Sequence, residues 1–242
     1  MELREIITSL YTLSKYNMAG DIIVEFSMRS EFSIETMMEY IEEIGSESEK
    51  GYAACDLFRL YMRSYDVREH APYSLIVDCL GKSILKNRDN KTILVKLLET
   101  CGALEDCCMM LDEKQADAFV NHWISVCNEY EKDAEMQLKV LEVFCVMACT
   151  MDLNDAVIRG DACSYVLNIM GAHTNSVEIQ IKGFSAIIYL LGFNDDSTLS
   201  DEKLKWITDH MNEMSLIYFW NDDFAGAVED FKMTLKAKYG AV

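Results

Sequence analysis

The most constraining feature of this sequence is a pattern that returns every 43 residues. When the chain is shifted against itself by that interval, the segments that begin at Gly51, Leu94, Gln137 and Gln180 superpose. Positions three residues apart share one face of an α-helix, so apolar columns at that spacing predict a buried helical face. Apolar or small residues coincide in the columns Cys55/Leu98/Leu141/Phe184, Phe58/Cys101/Phe144/Ile187 and Tyr61/Leu104/Met147/Leu190. A helical period of about 40 to 47 residues is typical of stacked repeats.

Each repeat is predicted to hold a short, a middle and a long helix. Pro72 is the only proline in 242 residues, which favours long helices over a turn-rich β protein. We expect an all-α fold, a right-handed α-solenoid forming one domain over residues 1–242. The predicted helices include 72–85, 91 onward, 114–130, 134 onward, 154–158 and 162–170. The predicted repeats are 23–64, 65–106, 107–151 and 152–194, with caps at 1–22 and 195–242.

Helix boundaries carry their own signals. Ser46 with Glu49 has capping-box spacing, Asp133 can cap the helix that follows it, and Thr198 with Asp201 can open the last pair of helices. Pro72 suits the first turn of a helix. At the C-terminus an i, i+4, i+7, i+11 stripe predicts a helix that packs back as a terminal cap. The stripe residues are Phe224, Val228, Phe231 and Leu235.

Residues 154–191 resemble an armadillo repeat. Gly160 lies where that family has a glycine-marked turn, Val166-Leu167-x-Ile169-Met170 is similar to its second-helix leucine cluster, and Val177-x-x-Gln180-x-x-Gly183-x-x-Ala186 is similar to its third-helix opening. The resemblance implies a protein that grips another chain along its third helices. A HEAT-type array, with a different helix count in each unit, remains the alternative.

In armadillo nuclear-import adaptors a Trp and an Asn four residues apart on the third helix hold basic peptides. Those columns read Asp56 and Leu60, Glu99 and Ala103, Glu142 and Val146, Ser185 and Tyr189 in this sequence. The Trp–Asn ladder is therefore absent. The resemblance instead implies an acidic stripe of Asp56, Glu99 and Glu142, with Ser185 and Tyr189 toward one end, as the partner-binding residues. Ordinary solvated positions are the competing interpretation.

Charge narrows the class of partner. The formal net charge is -19, which argues against nucleic acid and anionic bilayers as partners, because phosphate-binding surfaces need clustered Lys and Arg. No stretch reaches the roughly 18 apolar residues of a spanning helix.

Nine cysteines, an odd number, argue against a complete disulfide framework and predict core thiols in a reducing compartment. We expect a cytoplasmic protein, with the nucleus as the alternative.

No motif for chemistry emerges from the sequence. The four histidines are scattered, and neither Cys145/Cys149 nor Cys107-Cys108 has a second pair at zinc-finger spacing. Nucleophile elbows, Walker loops and dinucleotide fingerprints do not occur, and the run 192–196 lacks the ligand pattern of an EF-hand. We therefore expect no catalytic residue, no metal and no cofactor. The 15 methionines fit either gap-filling or an adaptable binding surface.

These features favour a non-enzymatic scaffold or adaptor that holds a partner peptide or domain on the concave face of the third helices. An acidic regulatory or inhibitory subunit, occupying a basic site that normally receives nucleic acid, is the alternative from a different class. The alternative predicts association that depends steeply on salt. A helical enzyme would instead need a deep pocket with convergent polar groups.

Overall fold

The regular structure of this chain is helical wherever it is described. The computed structural model describes residues 34–45, 48–63, 65–104, 111–192 and 199–240. Within these ranges the prediction of an all-α fold is confirmed. The helices are α1 Ile34–Glu42, α2 Ser48–Tyr61, α3 Tyr65–His70, α4 Tyr73–Lys86, α5 Lys91–Cys101, α6 Glu113–Glu129, α7 Ala134–Cys149, α8 Met151–Arg159, α9 Ala162–Ala172, α10 Val177–Gly192, α11 Asp201–Ile217 and α12 Asp222–Tyr239, with a 3-10 turn at Gly102–Leu104.

Most predicted helix boundaries lie within a few residues of the observed ones. Helices α7 and α9 begin at the predicted residues. Pro72 is the residue before α4 rather than part of its first turn. The order of short, middle and long helix holds for α8, α9 and α10, which have 9, 11 and 16 residues. It fails for α4 and α5, which have 14 and 11, because α5 tightens into the 3-10 turn at Gly102.

One turn type joins consecutive helices at four places in the described chain. In each turn the N–H of the fourth residue donates to the C=O of the first at 2.8 to 3.0 Å. The side chain of the fourth residue then caps the next helix by accepting from a backbone N–H three residues on. The turns are Asn87–Asn90, Tyr130–Asp133, His173–Ser176 and Tyr218–Asn221. The first three lie 43 residues apart, so the sequence period is also a period of turns and caps.

Of the three predicted helix-capping residues, only Asp133 lies among the described residues. The capping role of Asp133 is confirmed by its bond to Met136 N at 3.1 Å. Ser46 and Thr198 lie outside the described residues. Helix α11 is capped by Ser200, whose Oγ accepts from Lys203 N at 3.3 Å.

Contacts divide the chain into two compact units, and the division falls within α6, between His122 and Trp123. In the first unit α1 packs against α2 and α4, and α2 packs against α5. Cys79, Ser83 and Lys86 of α4 donate to the carbonyls of Met38, Ile41 and Glu42 at 3.0 to 3.2 Å. The carbonyls of Ile41 and Glu42 are among the last of α1, which have no intrahelical partner, so these bonds fasten α4 to the end of α1.

In the second unit α7 packs against α10, and α10 packs against α12. The ring of Phe184 on α10 has its centroid 6.0 Å from that of Phe224 and 5.2 Å from that of Phe231, both on α12. The predicted C-terminal stripe is confirmed, since all four of its residues are buried. Eleven of the twelve residues in the repeat columns are also buried, and Tyr61 is half-buried. The period therefore marks the core.

Successive turns within a unit bond to one another. His173 Nε2 donates to the carbonyl of Glu131 at 2.8 Å, and Tyr218 Oη donates to the carbonyl of Thr174 at the same distance. In both cases the first residue of one turn reaches the second residue of the turn before it. We call these two bonds the turn ladder. In the first unit the carboxamide of Asn87 lies so close to Gly45 that a Cβ there would be 2.6 Å from Oδ1.

Two glutamines 43 residues apart donate hydrogen bonds to the turns that precede their helices. Gln137 and Gln180 are the fourth residues of α7 and α10, and each Nε2 donates to the first carbonyl of the preceding turn, at 2.8 and 3.0 Å. Gln180 also donates to Met170 O at 3.0 Å and accepts from His210 Nε2 at 2.7 Å. Its side chain is fully buried. This one residue thus joins α9, α10 and α11.

Replacing Gln180 with alanine is expected to lower the free energy of unfolding by about 2–4 kcal/mol, because buried partners left unsatisfied cost roughly 1–3 kcal/mol. Asn175→Ala, at an exposed position of the neighbouring turn, is the control and should change it by less than about 0.5 kcal/mol. Urea denaturation followed by circular dichroism measures both. Equal losses in the two variants would show that the Gln180 network is not a stabilising centre.

Candidate functional site

The predicted acidic stripe contains bases as well as acids in the first unit. Lys96 Nζ lies 2.5 Å from Asp56 Oδ1, and Arg59 Nη1 lies 3.6 Å from Glu99 Oε2 and 3.9 Å from Asp56 Oδ1. The structure therefore brings Asp56 and Glu99 together, but within a network of two carboxylates and two cations. Such a network has no net charge with which to attract a basic peptide.

The remaining predicted residues lie in the second unit and make local contacts. Glu142 Oε2 is 3.0 Å from Lys139 Nζ, one turn earlier on α7. Ser185 Oγ donates to the carbonyl of Ile181 at 3.0 Å within α10. Tyr189 is exposed. Of these three residues, Tyr189 presents the largest accessible surface to a partner.

A groove of about 810 Å³ lies in the second unit, between the end of α6, the length of α9 and the start of α11. It is partly open to solvent, and none of the five predicted site residues lines it. The lining includes the polar and aromatic residues Asn128, Glu131, Tyr165, Asn168, Glu202 and Trp206. The groove follows middle helices, whereas the resemblance pointed to third helices.

Trp206 is the largest side chain in the groove, and its neighbours fix its position. Its indole stacks on the His210 ring with centroids 4.6 Å apart and planes 13° from parallel. A Cβ at residue 171 would lie 3.3 Å from Trp206 Cζ2, so Gly171 allows close approach of the indole to α9. About 37% of Trp206 is exposed. The groove therefore presents an aromatic ring whose position is fixed by its contacts with His210 and with α9 at Gly171.

His210 connects this indole to the core. Because Gln180 uses its amide nitrogen to donate two bonds, its Oε1 is the acceptor and His210 Nε2 carries the hydrogen. Burial lowers the pKa of His210, an effect that the charge of Glu213 opposes. The neutral ring thus lies between Gln180 and Trp206 at pH 7.

The polar lining of the groove is rich in available hydrogen-bonding groups. Asn128 and Asn168 are exposed, and neither amide makes a hydrogen bond to another described residue. Each amide can donate and accept, as a peptide group does. Glu131 and Glu202 are exposed carboxylates at the rim. The one lysine of the lining, Lys203, has its Nζ 2.5 Å from Asp161 Oδ1, so the unpaired charge of the groove is negative.

Asp161 fixes the wall of the groove where α9 begins. It has left-handed backbone angles, with φ 52° and ψ 40°, whereas Gly160, predicted as the turn glycine, has φ -72°. Asp residues tolerate this conformation better than most. Burial by itself raises the pKa of Asp161, but the hydrogen bonds from Lys203 and Ser164 outweigh it and the pKa is lowered.

Most of the cysteine side chains that the structure describes lie in the core. Cys55, Cys79, Cys101 and Cys145 are buried, and Cys149 and Cys163 are half-buried, which confirms the prediction of core thiols for the first four. Burial raises the pKa of Cys55 to about 11 and that of Cys79 to about 12. These thiols are therefore protonated and poorly nucleophilic at neutral pH. Cys107 and Cys108 lie outside the described residues.

Two absences hold within the described ranges of the chain. There, no group of three or more His, Cys, Asp or Glu side chains is arranged to hold a metal ion. Within the same ranges, no helix combines the length and apolar character needed to cross a bilayer.

Comparison of the chain with protein-family models, with curated proteins and with solved structures gives no match. The armadillo resemblance therefore rests on residues 154–191 and on the 43-residue period. Function has to be inferred from the geometry of this chain.

Sequence reasoning missed the groove residues for an identifiable reason. The third-helix columns follow positions equivalent to those of the import adaptors, and Trp206 does not fall in them. A signal was nevertheless present. Trp206 lies between the charged residues Lys205 and Asp209, with His210 four residues on, which places a large aromatic ring at the border of a polar helix face.

Folding stability is expected to fall as the pH drops below about 7, because burial lowers the pKa of His210 from its usual value near 6.5. The unfolded chain takes up the proton first, so stability is full above pH 7 and is lost as the pH falls toward the lower folded pKa. One such proton changes the free energy by at most about 1.4 kcal/mol per pH unit. Burial of His122 acts in the same direction.

His210→Gln keeps a donor for Gln180 and removes the titration. Urea denaturation at pH 8 gives the cost of the substitution itself, and the same measurement at intervals down to pH 5.5 gives the slope. The variant should show a shallower slope than the native chain. If both slopes agree, His210 does not contribute to the acid sensitivity.

Proposed function

We propose that this chain is a non-enzymatic protein-interaction module built as a right-handed solenoid of armadillo-like repeats. The recurrence of one turn and cap at 43-residue intervals supports the repeat. Packing of α1 against α4, of α2 against α5 and of α7 against α10 supports stacking, since each pair joins helices about one period apart. Stacked repeats bury a continuous core and leave extended surfaces for binding.

The single observation that carries the binding site is the groove with its fixed, partly exposed Trp206. An extended peptide presents backbone donors and acceptors that the amides of Asn128 and Asn168 can pair with. The indole offers a flat surface for an aliphatic or cationic side chain. Glu131 and Glu202 favour Lys or Arg in that peptide. We therefore assign an extended, basic peptide segment of a partner protein as the ligand.

The third-helix residues that the resemblance implied are less favourable for binding a basic peptide. Asp56, Glu99 and Glu142 each have a cation within 4 Å, so a peptide cation would have to compete with an existing partner. The same pairing weakens the alternative of an acidic inhibitor, at least on this face. Tyr189 is exposed and is the third-helix residue that we retain as a partner contact.

The buried free thiols favour a reducing cellular compartment for this protein. Cys55, Cys79 and Cys101 are in the core of the first unit as free thiols, and such residues persist most readily in a reducing environment. Within this proposal the chain acts in the cytoplasm, or alternatively in the nucleus.

A peptide-display library selected on the immobilised full chain tests the proposed function. Enriched peptides should contain Lys or Arg, and their affinity, measured by fluorescence anisotropy on synthetic copies, should fall at least about tenfold in Trp206→Ala and measurably in Asn168→Ala. A tenfold loss corresponds to about 1.4 kcal/mol, within the range of aromatic anchor residues.

Met233→Ala is the control, because Met233 is an exposed apolar residue of the same unit that does not line the groove. Its affinity for the selected peptides should stay within about twofold of the native chain. Circular dichroism of each variant checks the fold, and Asn168→Ala, at an exposed position, keeps the test valid if Trp206→Ala unfolds. Failure to enrich any peptide, or equal affinity in native chain and groove variants, would refute the site.

A further inference from the structure

The second unit carries a cluster of exposed apolar side chains where α11 ends. Leu216 is 79% exposed, Ile217 46%, Phe219 82% and Trp220 64%. We call these four residues the aromatic tip. Isolated exposed apolar residues are ordinary on protein surfaces, but four within five successive residues, two of them large aromatic residues, are typical of an interaction site.

The fold does not require aromatic residues here. Phe219 and Trp220 occupy the second and third positions of the recurrent turn, between Tyr218 and Asn221. The corresponding positions in the other three turns are polar or charged. They are Arg88-Asp89, Glu131-Lys132 and Thr174-Asn175. The turn therefore forms equally well with hydrophilic residues, and another cause is needed for Phe219 and Trp220.

Tyr218 anchors the turn that carries the aromatic tip. Tyr218 is buried, its hydroxyl bonds to Thr174 O at 2.8 Å, and its ring lies 5.4 Å from that of Phe224. The Trp220 ring lies 6.4 Å from the Tyr218 ring in an edge arrangement. Because the backbone of the turn is anchored and the Trp220 ring contacts Tyr218, less conformational entropy would be lost when a partner binds.

The charge around the tip selects its partner. Between Trp206 and Phe231 the sequence has six acidic residues and no Lys or Arg. Glu213, Asp222 and Asp223 are exposed close to the tip in sequence. An anionic bilayer would be repelled. A second copy presenting the same tip would bring like charges together, which is also unfavourable.

We propose that the aromatic tip is a second docking surface, and that it binds a basic amphipathic helix of a partner protein. The apolar face of such a helix would cover Leu216, Phe219 and Trp220. Lys and Arg along its edges would face Glu213, Asp222 and Asp223. This surface differs from the Trp206 groove in its residues, and it does not depend on the groove being a peptide site.

The probe is an idealised amphipathic helical peptide of leucine and lysine, with a leucine–glutamate peptide of the same pattern as its counterpart. Binding to the full chain is measured by fluorescence anisotropy. The leucine–lysine peptide should bind, and the double variant Phe219→Ser with Trp220→Ser should weaken it at least about tenfold, a typical effect of removing aromatic anchors. Met233→Ala, at an exposed apolar position of α12 outside the tip, is the control and should leave the affinity within about twofold.

The double variant keeps the net charge, so it separates the tip from general attraction to an acidic protein. The proposal is overturned if the leucine–lysine peptide does not bind, if the double variant binds it as tightly as the native chain, if Met233→Ala weakens it as strongly, or if the leucine–glutamate peptide binds equally well. Sedimentation velocity and flotation with phosphatidylserine vesicles test the other occupants. Self-association, or vesicle binding, that the double variant abolishes would also overturn it.

Discussion

The bonds between successive turns are the constraint on which the second unit depends. The carbonyls of Glu131 and Thr174 lie in half-buried hydrogen bonds between turns, and a backbone carbonyl that is shielded from water needs a donor. His173 and Tyr218 supply donors to the turn before them, and Gln180 supplies donors from inside the next helix. Since these donors return at the same place in the repeat, satisfying the backbone also fixes the spacing of successive helices.

The candidate site follows from the same network. Gln180 orients His210, His210 supports the Trp206 indole, and the small residue Gly171 leaves room for that indole against α9. Trp206 is therefore an exposed aromatic residue whose position is determined by buried polar contacts. The aromatic tip has a parallel origin, because Tyr218 is both a member of the turn ladder and the anchor below Phe219 and Trp220.

The sequence alone predicts the helices and the buried columns because both depend on local periodicity. The starts of α7 and α9 and the stripe through Phe224 and Leu235 follow from that pattern. The site was harder to predict because it depends on which exposed residues meet. Lys96 and Asp56 are 40 residues apart, so the helix pattern could not show that the acidic stripe is paired with cations. Trp206 likewise became a site residue only when α9, α10 and α11 were placed around it.

The turn ladder can be tested most directly by removing a single hydroxyl. Tyr218→Phe deletes only the donor to Thr174 O, whereas Tyr165→Phe removes a hydroxyl that makes no hydrogen bond to another described residue. Urea denaturation should show a loss of about 1 kcal/mol in unfolding free energy for Tyr218→Phe, the usual net value of one such bond. Tyr165→Phe should change it by less than about 0.3 kcal/mol on the same basis. Equal effects of the two substitutions would contradict the ladder as the interaction that holds successive turns together.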